Sequence, residues 1–304
     1  MGHNRTMRVI VVGSVNMDLV FTGLASFPLP GQTVSGGDFR VLPGGKGANQ
    51  ASAAARLGAD VTLVAAVGTD DLGDQAMADL DSFGVGLEHV KRVDGSTGVA
   101  AVMIEEAGEN SIIVVPAANA TLAATDARAI ADALDGPAVV LACLEVPVDT
   151  VAEWAAIAAE KGWRFVLNPA PAPAHPLPAA LLANTSIITP NETELEVLGS
   201  VESLHAAGVE TVIVTQGGDG VTLHRAGVEP RHQPAFPAKP VDTTGAGDAF
   251  NGAFVTALAE GADIVDALAF AAATGALSTR RVGARDALPT IDEVGAVLRG
   301  GDAF

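Results

Sequence analysis

Six short runs rich in valine and isoleucine, at 8–12, 61–66, 138–142, 164–168, 187–189 and 211–215, alternate with alanine-rich segments of helical period. No other feature of the sequence restricts the fold so strongly. Continuous apolar runs suit strands covered on both faces, and the intervening helices supply the cover. The pattern therefore predicts βαβ units around a mostly parallel central sheet, a three-layer α/β/α arrangement. Helices are predicted at 48–57, 71–83, 125–134 and 150–161, with Gly58, Gly84 and Gly162 beyond three of their ends, where a left-handed residue is required. Three more, at 248–259, 264–278 and 291–298, follow in the last third of the chain.

Two stretches break this rhythm. Residues 19–42 are rich in Gly, Pro and Thr, with short alternating pieces such as Thr33-Val34-Ser35. Residues 97–104 and 110–115 flank a polar turn at Gly108 and read as an antiparallel hairpin. Together they predict a small antiparallel β lid, inserted from about 16–42 and 95–116 into a single α/β domain spanning 1–304. No linker, repeat or low-complexity tract divides the chain. Met1 to Thr6 read as a short leader ahead of Met7, without the layout of a signal peptide. The longest run free of Asp, Glu, Lys and Arg, 165–190, holds six prolines and is not a spanning helix.

Charge narrows the partners. With 17 Lys plus Arg against 36 Asp plus Glu, a net charge of −19 and 4% aromatic residues, the chain lacks the basic and stacking groups that grip nucleic acids. An anionic membrane surface is disfavoured for the same reason. The single Cys143 lies in an apolar run and fits a small buried thiol in a reducing, cytoplasmic setting.

Three polar, glycine-bearing segments carry the chemistry. In Asp242-Thr243-Thr244-Gly245-Ala246-Gly247-Asp248, small residues lead into a helix whose core face takes Phe250, Phe254, Ala257 and Leu258. Gly245, Ala246 and Gly247 would then present free N–H groups at a helix N-terminus, an anion hole, although an ordinary loop before a helix accounts equally for the letters. In Pro43-Gly44-Gly45-Lys46-Gly47-Ala48-Asn49-Gln50, the glycines open either a ligand-approaching helix start or a tight turn. In Gly13-Ser14-Val15-Asn16-Met17-Asp18, an amide and a carboxylate two residues apart share one face of extended chain, which suits adjacent sugar hydroxyls or plain surface polarity. The G-x-x-x-x-G-K-S/T phosphate loop and the G-x-G-x-x-G dinucleotide fingerprint are both absent: Arg40 and Gly47 break the first, Phe250 the second.

Taken together, the segments 44–51 and 242–248 resemble the two signatures of the PfkB carbohydrate kinases, in their ribokinase branch. Supporting matches include Ser96-Thr97-Gly98, Asn168-Pro169-Ala170-Pro171, Thr189-Pro190-Asn191-Glu192-Thr193-Glu194 and Thr215-Gln216-Gly217-Gly218. The resemblance implies a ribokinase-like fold and transfer of the γ-phosphoryl group of ATP to the 5-hydroxyl of D-ribose. Fructose, 2-keto-3-deoxygluconate or a nucleoside are alternative acceptors, and a non-catalytic sensor is the alternative outside this class. It implies Asp248 as base and an anion hole at Gly245 to Gly247. Sugar contacts would be Asn16, Asp18, Gly45, Lys46, Asn49 and Glu145, and nucleotide contacts Asn191, Thr215, Gly217 and Gly247. Mg²⁺ would be organised through water by Glu194, although Asn191 to Glu194 alone read as a helix start. K⁺ would be held by Asp242, the Thr244 carbonyl and Gly283. Here the loop 278–287 departs from T-R-x-G-A-x-x-S by one residue before Gly283 and by Ala287 in place of Ser. The resemblance also implies a homodimer paired through the lid.

Overall fold

The computed structural model describes residues 7–300; the leader read at Met1 to Thr6 lies outside the described residues. In chain order the elements begin with β1 (Arg8–Val12), β2 (Asn16–Leu24), β3 (Asp38–Gly44), α1 (Lys46–Arg56), β4 (Val61–Gly68), α2 (Asp71–Ser82) and β5 (Gly86–Val93). There follow β6 (Gly98–Glu105), β7 (Asn110–Val115), α3 (Ala124–Ala133), β8 (Ala138–Cys143), α4 (Val148–Lys161), β9 (Arg164–Asn168) and α5 (Ala179–Ala183). The remainder is β10 (Ile187–Ile188), α6 (Glu192–Leu198), α7 (Val201–Ala206), β11 (Thr211–Thr215), β12 (Val221–Arg225), β13 (Val228–Gln233), α8 (Ala246–Ala259), α9 (Ile264–Ser278) and α10 (Ile291–Leu298).

The central sheet has nine strands in the order β13-β12-β11-β10-β9-β8-β1-β4-β5. Every pair from β11 to β5 is parallel, and only β12 and β13 add antiparallel at one end. Helices cover both faces, as alternation along β1 requires: Val9 and Val11 join a core with Phe250 and Phe254 of α8, while Ile10 and Val12 join Trp154 of α4 on the other side. The three glycines read as helix ends, Gly58, Gly84 and Gly162, have φ of 95°, 78° and 66°.

A second sheet of four strands stands in the order β3-β2-β6-β7. Its two outer pairs are antiparallel, but its middle pair, β2 with β6, is parallel, Asn16 lying opposite Gly98. The reason is topological: β2 follows β1 and β6 follows β5, and those parallel strands deliver the chain to the same edge in the same direction.

Several boundaries differ from the sequence reading. β10 stops at Ile188, and Thr189 turns its hydroxyl to Asn251 Oδ1 at 2.7 Å. Helices α1 and α8 each begin two residues early, because Gly45 (φ 91°) and Gly245 (φ 75°) take the cap position with positive φ. The strands β5, β12 and β13 escaped the apolar criterion because they carry charged residues, as strands toward a sheet edge commonly do. Among the described residues, no helix is long and apolar enough to cross a membrane.

One close approach fixes the site. Gly13, just past β1, touches Gly47 in the first turn of α1, and a Cβ on Gly47 would lie 2.5 Å from the Gly13 carbonyl carbon. The start of α1 is thereby pressed against the carboxyl end of β1.

Candidate active site

At the start of α1 every early N–H is taken by the protein. Lys46 N donates to Glu145 Oε2 at 3.0 Å, Gly47 N to Ser14 Oγ at 3.4 Å and Ala48 N to the Ser14 carbonyl at 2.9 Å. Glu145, just past β8, also accepts from Ser14 Oγ at 2.5 Å. It thus serves as a remote cap for a helix that has no capping side chain of its own. At the start of α8, by contrast, the N–H groups of Gly247 and Asp248 make no hydrogen bond among the described residues. They border a cavity of about 240 Å³ that is also lined by Lys46, Asn168, Asn191, Glu194 and Thr215.

Asp248, 7% exposed, is held at both oxygens. Asn49 Nδ2 donates to Oδ2 at 3.0 Å and Gln50 Nε2 to Oδ1 at 3.0 Å, while Gln50 Nε2 also reaches Asn168 Oδ1 at 2.9 Å. Burial raises the Asp248 carboxyl above its ordinary range, against the pull of Lys46, Asn49 and Gln50. For Lys46 burial acts downward, but Asp248, Glu145 and Glu194 outweigh it and hold the ammonium above its usual value. Asp18 is pushed up to about 6, first by burial and then by Glu145 and Asp248, with Arg285 opposing. Asn16 is buried and accepts from Asn119 Nδ2 at 2.7 Å.

On the other side of the cavity, Asn191 caps α6 and closes a reciprocal box with Glu194: Glu194 N donates to Asn191 Oδ1 at 2.7 Å and Asn191 N to Glu194 Oε2 at 2.9 Å. The helix-start reading of these letters therefore holds, and Glu194 still lines the cavity. Its carboxyl is raised by burial, against the Asn191 N–H and Lys46. Thr215 N donates to the Pro190 carbonyl at 2.9 Å, which brings β11 alongside. Gly217 starts a short turn after β11 and does not line the cavity.

Asp242 lies outside the cavity too and ties two loops together, accepting from Thr244 N and Gly283 N, both at 2.9 Å. Burial acts upward on its carboxyl, but these N–H groups prevail and keep it below the ordinary range. Ala287 is a buried methyl at 1% exposure.

The structure thus joins Lys46, Asn191, Glu194, Thr215, Gly247 and Asp248 around one cavity, with Asn49 bonded to Asp248 beside it. Asn16, Asp18, Gly45 and Glu145 gather behind Lys46 where β1, β2 and α1 meet. Reasoning from sequence did not assign Gln50, Asn168 or Asn119 to the site. Gln50 was within reach of it: adjacent residues of a helix lie about 100° apart, so Asn49 and Gln50 can grip one carboxylate from two sides.

The chain is 40% identical over 294 residues to a ribokinase of Bacillus subtilis, covering 95% of this chain and 99% of the relative. It is 38% identical over 296 residues to a ribokinase of Haemophilus influenzae, covering 93% and 95%. The structure of Arabidopsis thaliana ribokinase complexed with ribose and ATP superposes with a TM-score of 0.88 at 33% identity, covering 97% of this chain and 99% of that one. The model of the pfkB family of carbohydrate kinases matches residues 6–291. With both glycine-rich helix starts and the carboxylate between them falling inside that match, the chain belongs to the PfkB family of carbohydrate kinases.

Proposed function

We infer that this chain is a ribokinase, transferring the γ-phosphoryl group of ATP to the 5-hydroxyl of D-ribose. The observation that carries the reading is Asp248: buried, gripped at both oxygens by Asn49 and Gln50, and set beside the unpaired N–H groups at the start of α8. A carboxylate so held is aimed before substrate arrives, and phosphoryl transfer depends on positioning and charge stabilisation more than on a strong base. Asp248 takes the proton of the attacking hydroxyl, and the free amides of Gly247 and Asp248 stabilise charge on the transferring group, whereas Ala246, expected to present a free N–H as well, donates it to the Thr243 carbonyl at 3.2 Å. Lys46, held cationic by its acidic neighbours, adds a point charge on the same side.

Asn16, Asp18, Gly45, Lys46, Asn49 and Glu145 form the sugar side, and Asn191, Thr215 and Gly217 the nucleotide side. Glu194 fits a magnesium ion that keeps most of its waters, since it brings one carboxylate to the cavity. The bound metal would neutralise phosphate charge. Asp242 with the Thr244 carbonyl and Gly283 fits part of a potassium site, because its carboxylate already joins the two loops. Ala287 offers that site no oxygen, and no step of the transfer is assigned to the ion. The edges of the small sheet carry exposed Phe39, Ile112, Ile113 and Val115, which supports a homodimer paired there. A cytoplasmic location accords with the lone buried Cys143.

A coupled kinase assay across ribose, 2-deoxyribose, fructose and adenosine, with and without K⁺, tests the reading. Ribose is the expected best acceptor. A clear preference for another would overturn ribose as substrate, and turnover of none would overturn the kinase reading itself.

A further inference from the structure

Arg285 lies in the loop between α9 and α10 and is 4% exposed. Its guanidinium reaches three elements at once. Nε donates to Asn49 Oδ1 at 3.0 Å, Nη2 to the Gly44 carbonyl at 2.5 Å, and Nη1 to the Asp79 carboxylate on α2. Burying a guanidinium is costly unless its donors are satisfied, and here acceptors from β3, α1 and α2 converge on it.

The contact with Asn49 has a chemical consequence that packing alone would not. An asparagine amide turns about a soft, roughly two-fold torsion, so its oxygen and nitrogen can exchange places. Arg285 can only donate and ionised Asp248 can only accept. Asn49 bridges them in the single sense that satisfies both, oxygen toward Arg285 and nitrogen toward Asp248 Oδ2. Remove the donor and nothing on that side keeps the amide from turning its oxygen against the carboxylate. The other charged groups that face Asp248, namely Lys46 and Glu145 together with Asp18 and Glu194, act on its charge without orienting Asn49.

We propose that Arg285 is a positioning residue for phosphoryl transfer, which through Asn49 fixes the orientation of the Asp248 carboxylate and is itself held by Asp79. The proposal rests on the kinase reading above for its kinetic consequence, though not for the linkage itself. The guanidinium also favours ionised Asp248 by charge, and Arg285→Lys separates the two effects, since it keeps a cation but cannot span three acceptors as a fixed fork.

The test compares wild type, Arg285→Met and Arg285→Lys in the full chain. Both variants are expected to lower kcat, Met by about tenfold to a hundredfold, as for a misaimed base, with KM for the sugar changed less than kcat. In both, the acid limb of the kcat profile moves to higher pH, because Asp248 loses a hydrogen bond to its ionised form. Asn49→Ala combined with Arg285→Lys, which keeps the cation, is expected to cost little more than Asn49→Ala alone. Following the Asp248 carboxyl by ¹³C NMR in the ligand-free protein reads the same displacement without any turnover. A Lys variant with the wild-type acid limb and Asp248 titration would overturn the proposal, leaving charge as the only role, as would additive losses in the double variant. Should the Met variant fail to fold, the Lys comparison decides alone. Wild-type protein without turnover on any sugar removes the kinase reading, and the NMR titration still tests the linkage.

Discussion

Helices α1 and α8 both start at a glycine with positive φ and both follow a run of small residues, yet their N-termini are opposites. The start of α1 is closed: Glu145 and Ser14 occupy its N–H groups, and Gly47 is pressed against Gly13. The start of α8 is open: a Cβ on Gly247 would meet nothing within 4 Å, and the N–H groups of Gly247 and Asp248 have no partner among the described residues. One helix start is filled by a carboxylate that the fold brings to it, Glu145 from beyond β8, and the other faces a cavity into which an anion can come. Glycine in the first is a demand of packing, and in the second a demand of access.

The largest effect expected on this contrast comes from Asp248→Asn at the open helix. Loss of the base lowers kcat by about 10²–10⁴-fold while sugar affinity stays close to wild type; retained turnover in a stopped assay would remove Asp248 from that role. Next is the closed helix. Gly47→Ala forces a methyl into the backbone at Gly13 and is expected to cost about 3 kcal/mol in urea denaturation. Gly247→Ala reverses the pattern: stability within about 0.5 kcal/mol of wild type, and kcat about tenfold lower because the methyl intrudes where phosphate would rest. If Gly247→Ala unfolded the protein as Gly47→Ala does, the distinction between the two starts would collapse.

The last effect, on stability and confined to a pH window, concerns Asp18, which sits behind the closed start. Its carboxyl is raised from 3.8 to about 6, so the folded state holds that proton more tightly than the unfolded chain. The favourable contribution is complete below about pH 4 and is lost as pH rises through about 6. Asp18→Asn is therefore expected to match wild type near pH 4 and exceed it by about 2 kcal/mol at pH 7.5, while weakening sugar binding. Urea titrations at the two pH values check the sign. A variant less stable than wild type at pH 7.5 would mean that ionised Asp18 is held by more than its acidic neighbours oppose.

The central strands and the two glycine-rich starts were legible because each is a local pattern, an apolar run or a cluster of small residues beside a helix. The edge strands β5 and β13 were not, since sequences such as Glu88-His89 and Arg231-His232 break the alternation that betrays a buried strand. The parallel pairing of β2 with β6 depends on where β1 and β5 deliver the chain, which no short window contains. The same distinction runs through the site. Asp248 and Asn49 stand in recognisable segments, but the link from Arg285 to Asn49 joins residues 236 positions apart, and that from Asn119 to Asn16 joins residues 103 apart. Glu145 was read as a sugar contact, and its hydrogen bonds add a second task, capping α1, that is visible only once β8 lies beside that helix.

Because β2 leaves β1 after only three residues, Asn16 and Asp18 sit at the pivot of the small sheet and not at its tip. Points near a pivot hardly travel when a lever swings. Any sweep of the outer strands β3 and β7 would leave those two side chains almost stationary against α1, so grip on a ligand and freedom of the sheet need not compete. Substitutions have room in the far, exposed strands, while the end beside the central sheet, where Gly13 touches Gly47, has none to spare.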